Sequence, residues 1–302
     1  MRKALATAAV ILTATFALAG CAASATPTAD DGKVRLVAST NVWGDVARQI
    51  GGNTIQIDSI ISDPDQDPHS YEGDAQVQLA LSKADIVVEN GGGYDDFVTT
   101  LLKGANNSKA VVLNAVDISG FDQHPTTGEL NEHVWYDFPT VQKVAASIRT
   151  QLTKLDPKNA AEYTANEKTF DAHLATLEAD EAAIKASPAA GEGVAITEPV
   201  PLYLLDASGL VNKTPAKFSA AIEEGTDVSP ELLKQTLDLF SRHQVKLLAY
   251  NEQTSGPETE AVLAAAKSAG IPVVPVTETL PKGKDYLAWM TDNLAALTAA
   301  LK

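Results

Sequence analysis

PKNAAEYTANEKTFDAHLATLEADEAAIKA, residues 157–186, is the stretch on which the reading of this chain turns. No glycine and no second proline interrupts it until Pro188. Tyr163, Phe170, Leu177 and Ile184 recur every seventh residue, with Leu174 beside them. One narrow stripe is therefore apolar and the remainder polar, which predicts a long, mostly exposed helix. Pro157 suits a first helical turn and Asp156 the cap before it. At 1.5 Å per residue such a helix runs about 45 Å. Its stripe lasts only three heptads, too short for a coiled coil.

On both sides of this helix the pattern is different. Upstream, VRLVAS (34–39), TIQIDSII (54–61), DIVVEN (85–90) and KAVVLNAV (109–116) read as strands, rich in β-branched residues. Between them, 40–52, 74–84 and 95–104 have helical spacing, the first stopping at Gly51. Downstream, GVAIT (193–197), VKLLAYNE (245–252) and PVVPV (272–276) alternate with helices at PLYLLDASG, after Ser229-Pro230, at 257–270 and from Asp285. Strands alternating with helices of this length imply parallel or mixed sheets flanked by helices. The expectation is an α/β protein of two lobes, 33–155 and 188–302, joined by one connecting helix at 156–187. GGG at 91–93 lacks the spacing of a dinucleotide fingerprint and reads as a turn.

Composition narrows the chemistry. With 45% apolar and 21% charged residues in 302, the chain can bury a core. A net charge of −16 argues against nucleic acid as a partner and in favour of cations. Residues 1–20, MRKALATAAVILTATFALAG, have the basic start and short apolar run of a secretory signal. Leu18-Ala19-Gly20-Cys21 resembles a bacterial lipobox, which implies an acylated Cys21 anchored in the membrane, with 21–32 as a small, polar tether. Cys21 is also the only cysteine. The folded part thus has no thiol for a disulfide, a cysteine zinc site, an iron–sulfur cluster or a nucleophile. A metal here must be held by imidazole, carboxylate, backbone or water oxygen.

In α/β folds ligands sit where loops leave the carboxyl ends of strands. Four residues occupy such places: His69 in DPDQDPHSYEGD (63–74), His133 in NEHVWYD (131–137), Glu198 after GVAIT and Glu278 after PVVPVT. Two imidazoles and two carboxylates would neutralise a divalent cation of intermediate hardness. Glu198 and Glu278 equally suit helix starts, where the dipole favours an acid. His124, His173 and His243 read as structural.

These segments make the chain similar to the metal-binding lipoproteins of bacterial ABC importers, the solute-binding family of manganese and zinc uptake. The likeness runs through ASTNVWGDVARQIGG, DPHSYEGDAQVQLALSKADIVVENGGGYDDF, NEHVWYDFPTVQKVAASI and GIPVVPVTETL. It implies a receptor, not an enzyme, that captures Mn²⁺ or Zn²⁺ between its lobes as transported ligand. The partners implied are a permease with its ATPase, and the receptor acts as a monomer. It also implies His69, His133, Glu198 and Glu278 as ligands. Family members have His at the third position in the zinc branch and Glu in the manganese branch, five residues before an aromatic; Glu198 precedes Tyr203 by five. The fourth is usually Asp, and Glu278 departs from that by one methylene. The absence of a His-rich acidic loop also favours manganese. The two prolines of 63–74 would orient His69, since each fixes its own φ and extends its predecessor. A metallohydrolase and a metal-dependent adhesin or scaffold are the alternatives of other classes.

Overall fold

A computed structural model describes residues 32–63 and 71–302. The signal at 1–20, Cys21 and the rest of the tether before Gly32 lie outside the described residues, as does His69 within 64–70.

The first half runs β1 (Val34–Thr40), α1 (Asn41–Gly51), β2 (Ile55–Ile61), α2 (Ala75–Lys83), β3 (Ile86–Glu89), α3 (Asp96–Ala105), β4 (Val111–Asn114) and α4 (Ala115–Ser119). After a 3₁₀ turn at Val134–Tyr136 come α5 (Phe138–Leu155) and the long α6 (Ala160–Lys185). The second half runs β5 (Gly193–Ile196), α7 (Leu202–Ala207), β6 (Val211–Asn212), α8 (Ala216–Glu223) and α9 (Pro230–Ser241). It ends with β7 (Leu248–Asn251), α10 (Pro257–Ser268), β8 (Val273–Val276) and α11 (Tyr286–Ala300).

The strands form two four-stranded parallel sheets, ordered β2-β1-β3-β4 and β6-β5-β7-β8. Both sheets follow the same order: the second strand lies outside the first, and the third lies on the first strand's other side. Strand order thus reverses at β1 and at β5, the kind of switch point beside which open α/β sheets bind ligands. β3, β5 and β7 are buried at every residue, as strands covered on both faces must be.

Local chemistry moves several boundaries. The first helix includes Gly51 and stops at Gly52, whose φ of 57° is open to glycine and whose N–H closes on the Arg48 carbonyl at 2.9 Å. The strand expected over 109–116 ends at Asn114, because the Asn114 side chain accepts from the Asp117 N–H at 2.9 Å and starts α4. The strand expected over 245–252 is confined to Leu248–Asn251. Asp156 does not cap a helix. A 3₁₀ turn at Pro157–Asn159 intervenes, and the carboxylate accepts from Tyr163 Oη at 2.8 Å and Asn159 Nδ2 at 2.7 Å.

The helix stripe is buried as its spacing requires: Tyr163, Phe170, Leu174, Leu177 and Ile184 belong to a core that draws on both sheets, from Leu36 and Val88 to Ile196 and Val276. α6 packs against α1, α5, α7 and α11, so it is a shared wall as well as a connector. Two buried hydroxyls tie the 3₁₀ turn to the second half. Tyr286 Oη donates to the Trp135 carbonyl at 2.6 Å, and Tyr136 Oη to the Thr277 carbonyl at 2.8 Å. Among the described residues, no helix is long and apolar enough to cross a membrane.

One acid breaks the stripe. Glu181 is only 6% exposed, and burial, then the charges of Glu178 and Asp137, push its carboxyl up to about 8. A folded-state pKa above the unfolded one means the folded chain holds the extra proton, so stability falls as pH rises from about 4.5 to about 8. Glu181→Gln should match wild type in urea unfolding near pH 4.5 and exceed it above pH 8. Equal stability at both would show that Glu181 ionises without penalty.

Candidate metal centre

His133 is fully buried at the entry to the 3₁₀ turn, held there by the buried Val134, Trp135 and Tyr136 that follow it. Its Nδ1 lies 2.7 Å from Asn131 Oδ1, an acceptor, which fixes the ring and assigns the Nδ1 proton to that contact. Asn131 is itself tied to the second half: its Nδ2 donates to the Pro199 carbonyl at 3.2 Å, and its own carbonyl accepts from Tyr203 Oη at 2.7 Å. The other ring nitrogen, Nε2, faces carboxylates, with Glu223 Oε1 at 3.3 Å and Glu278 Oε2 at 3.9 Å.

Glu198 directly follows Thr197 at the end of β5, and Glu278 lies two residues beyond β8; they are 3% and 1% exposed. Asn251, the last residue of β7, stands between them. Its Nδ2 donates to Glu198 Oε2 in a very short contact and to Glu278 Oε1 at 2.8 Å. The amide is oriented from behind, since Asn251 Oδ1 accepts from the Gln253 N–H at 3.1 Å. Tyr94, beyond the Gly91–Gly93 turn, donates from Oη to Glu278 Oε2 at 3.2 Å. Neither Glu198 nor Glu278 caps a helix: α7 begins after Pro201 with no side-chain cap, and Asp285 caps α11.

Thus the structure brings together three of the four candidates, His133, Glu198 and Glu278, while His69 lies outside the described residues. It adds three residues that sequence reasoning missed. Asn251 was visible as a polar end to an apolar strand. Tyr94 followed a glycine turn. Glu223 carried no signal, because α8 is a short helix with no legible periodicity. Glu132, His133 and Glu223 each offer a ligand atom within 4.8 Å of the others.

Electrostatics follow from the crowding. Burial would lower the basicity of His133, but Glu278 foremost, then Glu223 and Glu132, outweigh it and push the imidazole up to about 9. Burial, then the charge of Glu278, pushes Glu198 up to about 7 against the hydrogen bonds from Asn251 and Thr254. Burial also raises Glu223, with Glu132, Glu198 and Glu278 adding to it and His133 opposing. Tyr94 is held well above the ordinary phenol range by burial and by Glu278. Four carboxylates around one described imidazole leave the site short of positive charge. A proton shared among them is one remedy; a divalent cation is a better one, because it meets several oxygens and Nε2 at once. An imidazole with convergent carboxylates is a donor set that suits such an ion.

The comparisons agree in kind. The chain is 25% identical to the iron ABC transporter substrate-binding lipoprotein MtsA of Streptococcus pyogenes serotype M1, over 95% of this chain and 94% of that protein. It is 23% identical to the manganese ABC transporter substrate-binding lipoprotein PsaA of Streptococcus pneumoniae, over 100% and 99% respectively. Among solved structures, the periplasmic zinc-binding protein TroA of Treponema pallidum superposes with a TM-score of 0.75 at 18% identity, covering 89% of this chain and 99% of that one. Residues 36–300 match the family described as zinc-uptake complex component A, periplasmic (ZnuA). The chain belongs to that family.

Proposed function

We propose that this protein is an extracytoplasmic receptor for a divalent transition metal, Mn²⁺ ahead of Zn²⁺, that delivers its cargo to an ABC permease. The observation that carries the reading is the Asn251 amide bridging two buried carboxylates beside a fully buried imidazole. Such a cluster is costly without a cation and is built to hold one. Family membership sets aside the metallohydrolase. The ligands would be His133, Glu198 and Glu278, with His69 supplied from 64–70. Lobes at 33–155 and 188–302, with 156–187 between them, would flank the cargo. The receptor would act as a monomer anchored through lipid on Cys21.

Binding to the folded state alone raises stability by RT ln(1 + [L]/Kd), about 4 kcal/mol at a thousandfold excess over Kd. Mn²⁺ or Zn²⁺ should therefore raise the melting temperature of chelator-stripped protein. His133→Ala should abolish the rise, and His173→Ala, on the exposed side of α6, should retain it. A melting curve indifferent to both metals would refute the receptor.

The preference for manganese rests on Glu198, whose hard oxygens suit Mn²⁺ where an imidazole suits four-coordinate Zn²⁺. Glu198→His should shift the ratio of the two dissociation constants toward zinc by about tenfold, or about 1.4 kcal/mol. Calorimetric titration that finds the ratio unchanged would remove Glu198 from the ligand set.

Anchoring has its own test. Cys21→Ser should move the protein from the membrane fraction to the soluble one without altering its melting curve. Retention in the membrane would argue against lipidation.

A further inference from the structure

The segment after β5 reads EPVPLY, residues 198–203, and its aromatic has no part in the ligand set argued above. Pro199 and Pro201 each fix their own φ, so little slack separates Glu198 from Tyr203. The Pro199 carbonyl accepts from the Leu202 N–H at 3.0 Å, which folds the segment back as α7 starts. So folded, it closes on Asn131 twice. The Pro199 carbonyl also accepts from Asn131 Nδ2 at 3.2 Å, and Tyr203 Oη donates to the Asn131 carbonyl at 2.7 Å. The Tyr203 ring stacks on Phe121, with centroids 5.1 Å apart and planes within 7° of parallel, so the first half steadies the hydroxyl as well.

The other end of the Asn131 amide faces His133. The His133 backbone N–H lies 3.2 Å from Oδ1, and ring Nδ1 lies 2.7 Å from the same atom. A backbone N–H only donates, so that atom is the oxygen, and the amide nitrogen is left for the Pro199 carbonyl, which only accepts. The same contact puts a proton on Nδ1, so Nε2 is the ring nitrogen whose lone pair an ion can take. One side chain thus joins the imidazole to the backbone next to Glu198, whose carboxyl is near enough to feel the charge of His133. We propose that Asn131 and Tyr203 are positioning residues of the metal centre, a clasp that fixes His133 and Glu198 relative to each other. This rests on the receptor reading above and adds how ligands from two halves keep one geometry. Neither is a ligand: the Asn131 amide is spent on Pro199 and His133, and Tyr203 acts through Asn131.

Calorimetric titration with Mn²⁺ alone and with Zn²⁺ alone, after chelator treatment, tests the clasp in Asn131→Ala, Tyr203→Phe and the two combined. Removing a contact that orients a metal-bound imidazole costs about ten- to a hundredfold in affinity, so Asn131→Ala should weaken both metals by about tenfold or more. Tyr203→Phe keeps the ring on Phe121 and removes one oxygen. It should melt close to wild type without metal, yet weaken both metals by about threefold or more. In the Asn131→Ala background the same change should cost less than about twofold, since no side chain remains to carry it to the ring. A purely structural role would lower the metal-free melting temperature and leave the dissociation constants of the folded protein alone. Tyr203→Phe binding both metals as wild type does would overturn the clasp, even if Asn131→Ala fails to fold. Losses that add fully in the double variant, or a loss confined to one metal, would overturn it too. A wild type that binds neither metal would instead overturn the receptor reading itself.

Discussion

A single amide, Asn251 Nδ2, donates to two carboxylates that would otherwise repel each other in a buried site. That contact sets the geometry from which the rest follows. It holds Glu198 beside Glu278, toward which the Nε2 of His133, its ring fixed by Asn131, is turned. It does not neutralise them, since an amide supplies two donors and no charge. The site is thus arranged in shape and deficient in charge, which is what selective uptake of a cation requires.

The fold delivers these residues with little irregular backbone. Glu198 follows β5, Asn251 ends β7 and Glu278 follows β8, so three members come from the carboxyl edge of one parallel sheet. His133 arrives from the other half, on a buried 3₁₀ turn tied to the second half through Tyr136 and Tyr286. Because both halves contribute to one core along α6, the imidazole and the carboxylates are set against each other by packing. A shift of either half would be felt at the site.

Much of this was legible in the sequence, and the reasons are specific. Buried parallel strands read as continuous apolar runs, and the stripe of α6 has a period that only a helix satisfies. Polar residues just past strand ends stand out against those runs, which is how His133, Glu198 and Glu278 were found. What escaped was short or carried by side chains. β6 has two residues, and α8 is too brief for its spacing to speak. Asn114 ended a strand early through one side-chain hydrogen bond, and Asp156 turned from a cap into an acceptor for Tyr163. Such choices depend on tertiary partners that no window of sequence contains. Glu223 was missed for the same reason: only its approach to His133 across the fold marks it out.

The central claim is that the acid-rich pocket at His133 is a seat for one divalent cation. The most direct measurement is an anomalous difference map from crystals of chelator-stripped protein loaded with Mn²⁺, recorded near the manganese edge. The account predicts one strong peak, within bonding distance of His133 Nε2 and of carboxylate oxygens from Glu198 and Glu278. A peak found only on exposed acids elsewhere, or none at this pocket with Mn²⁺ bound in solution, would contradict it.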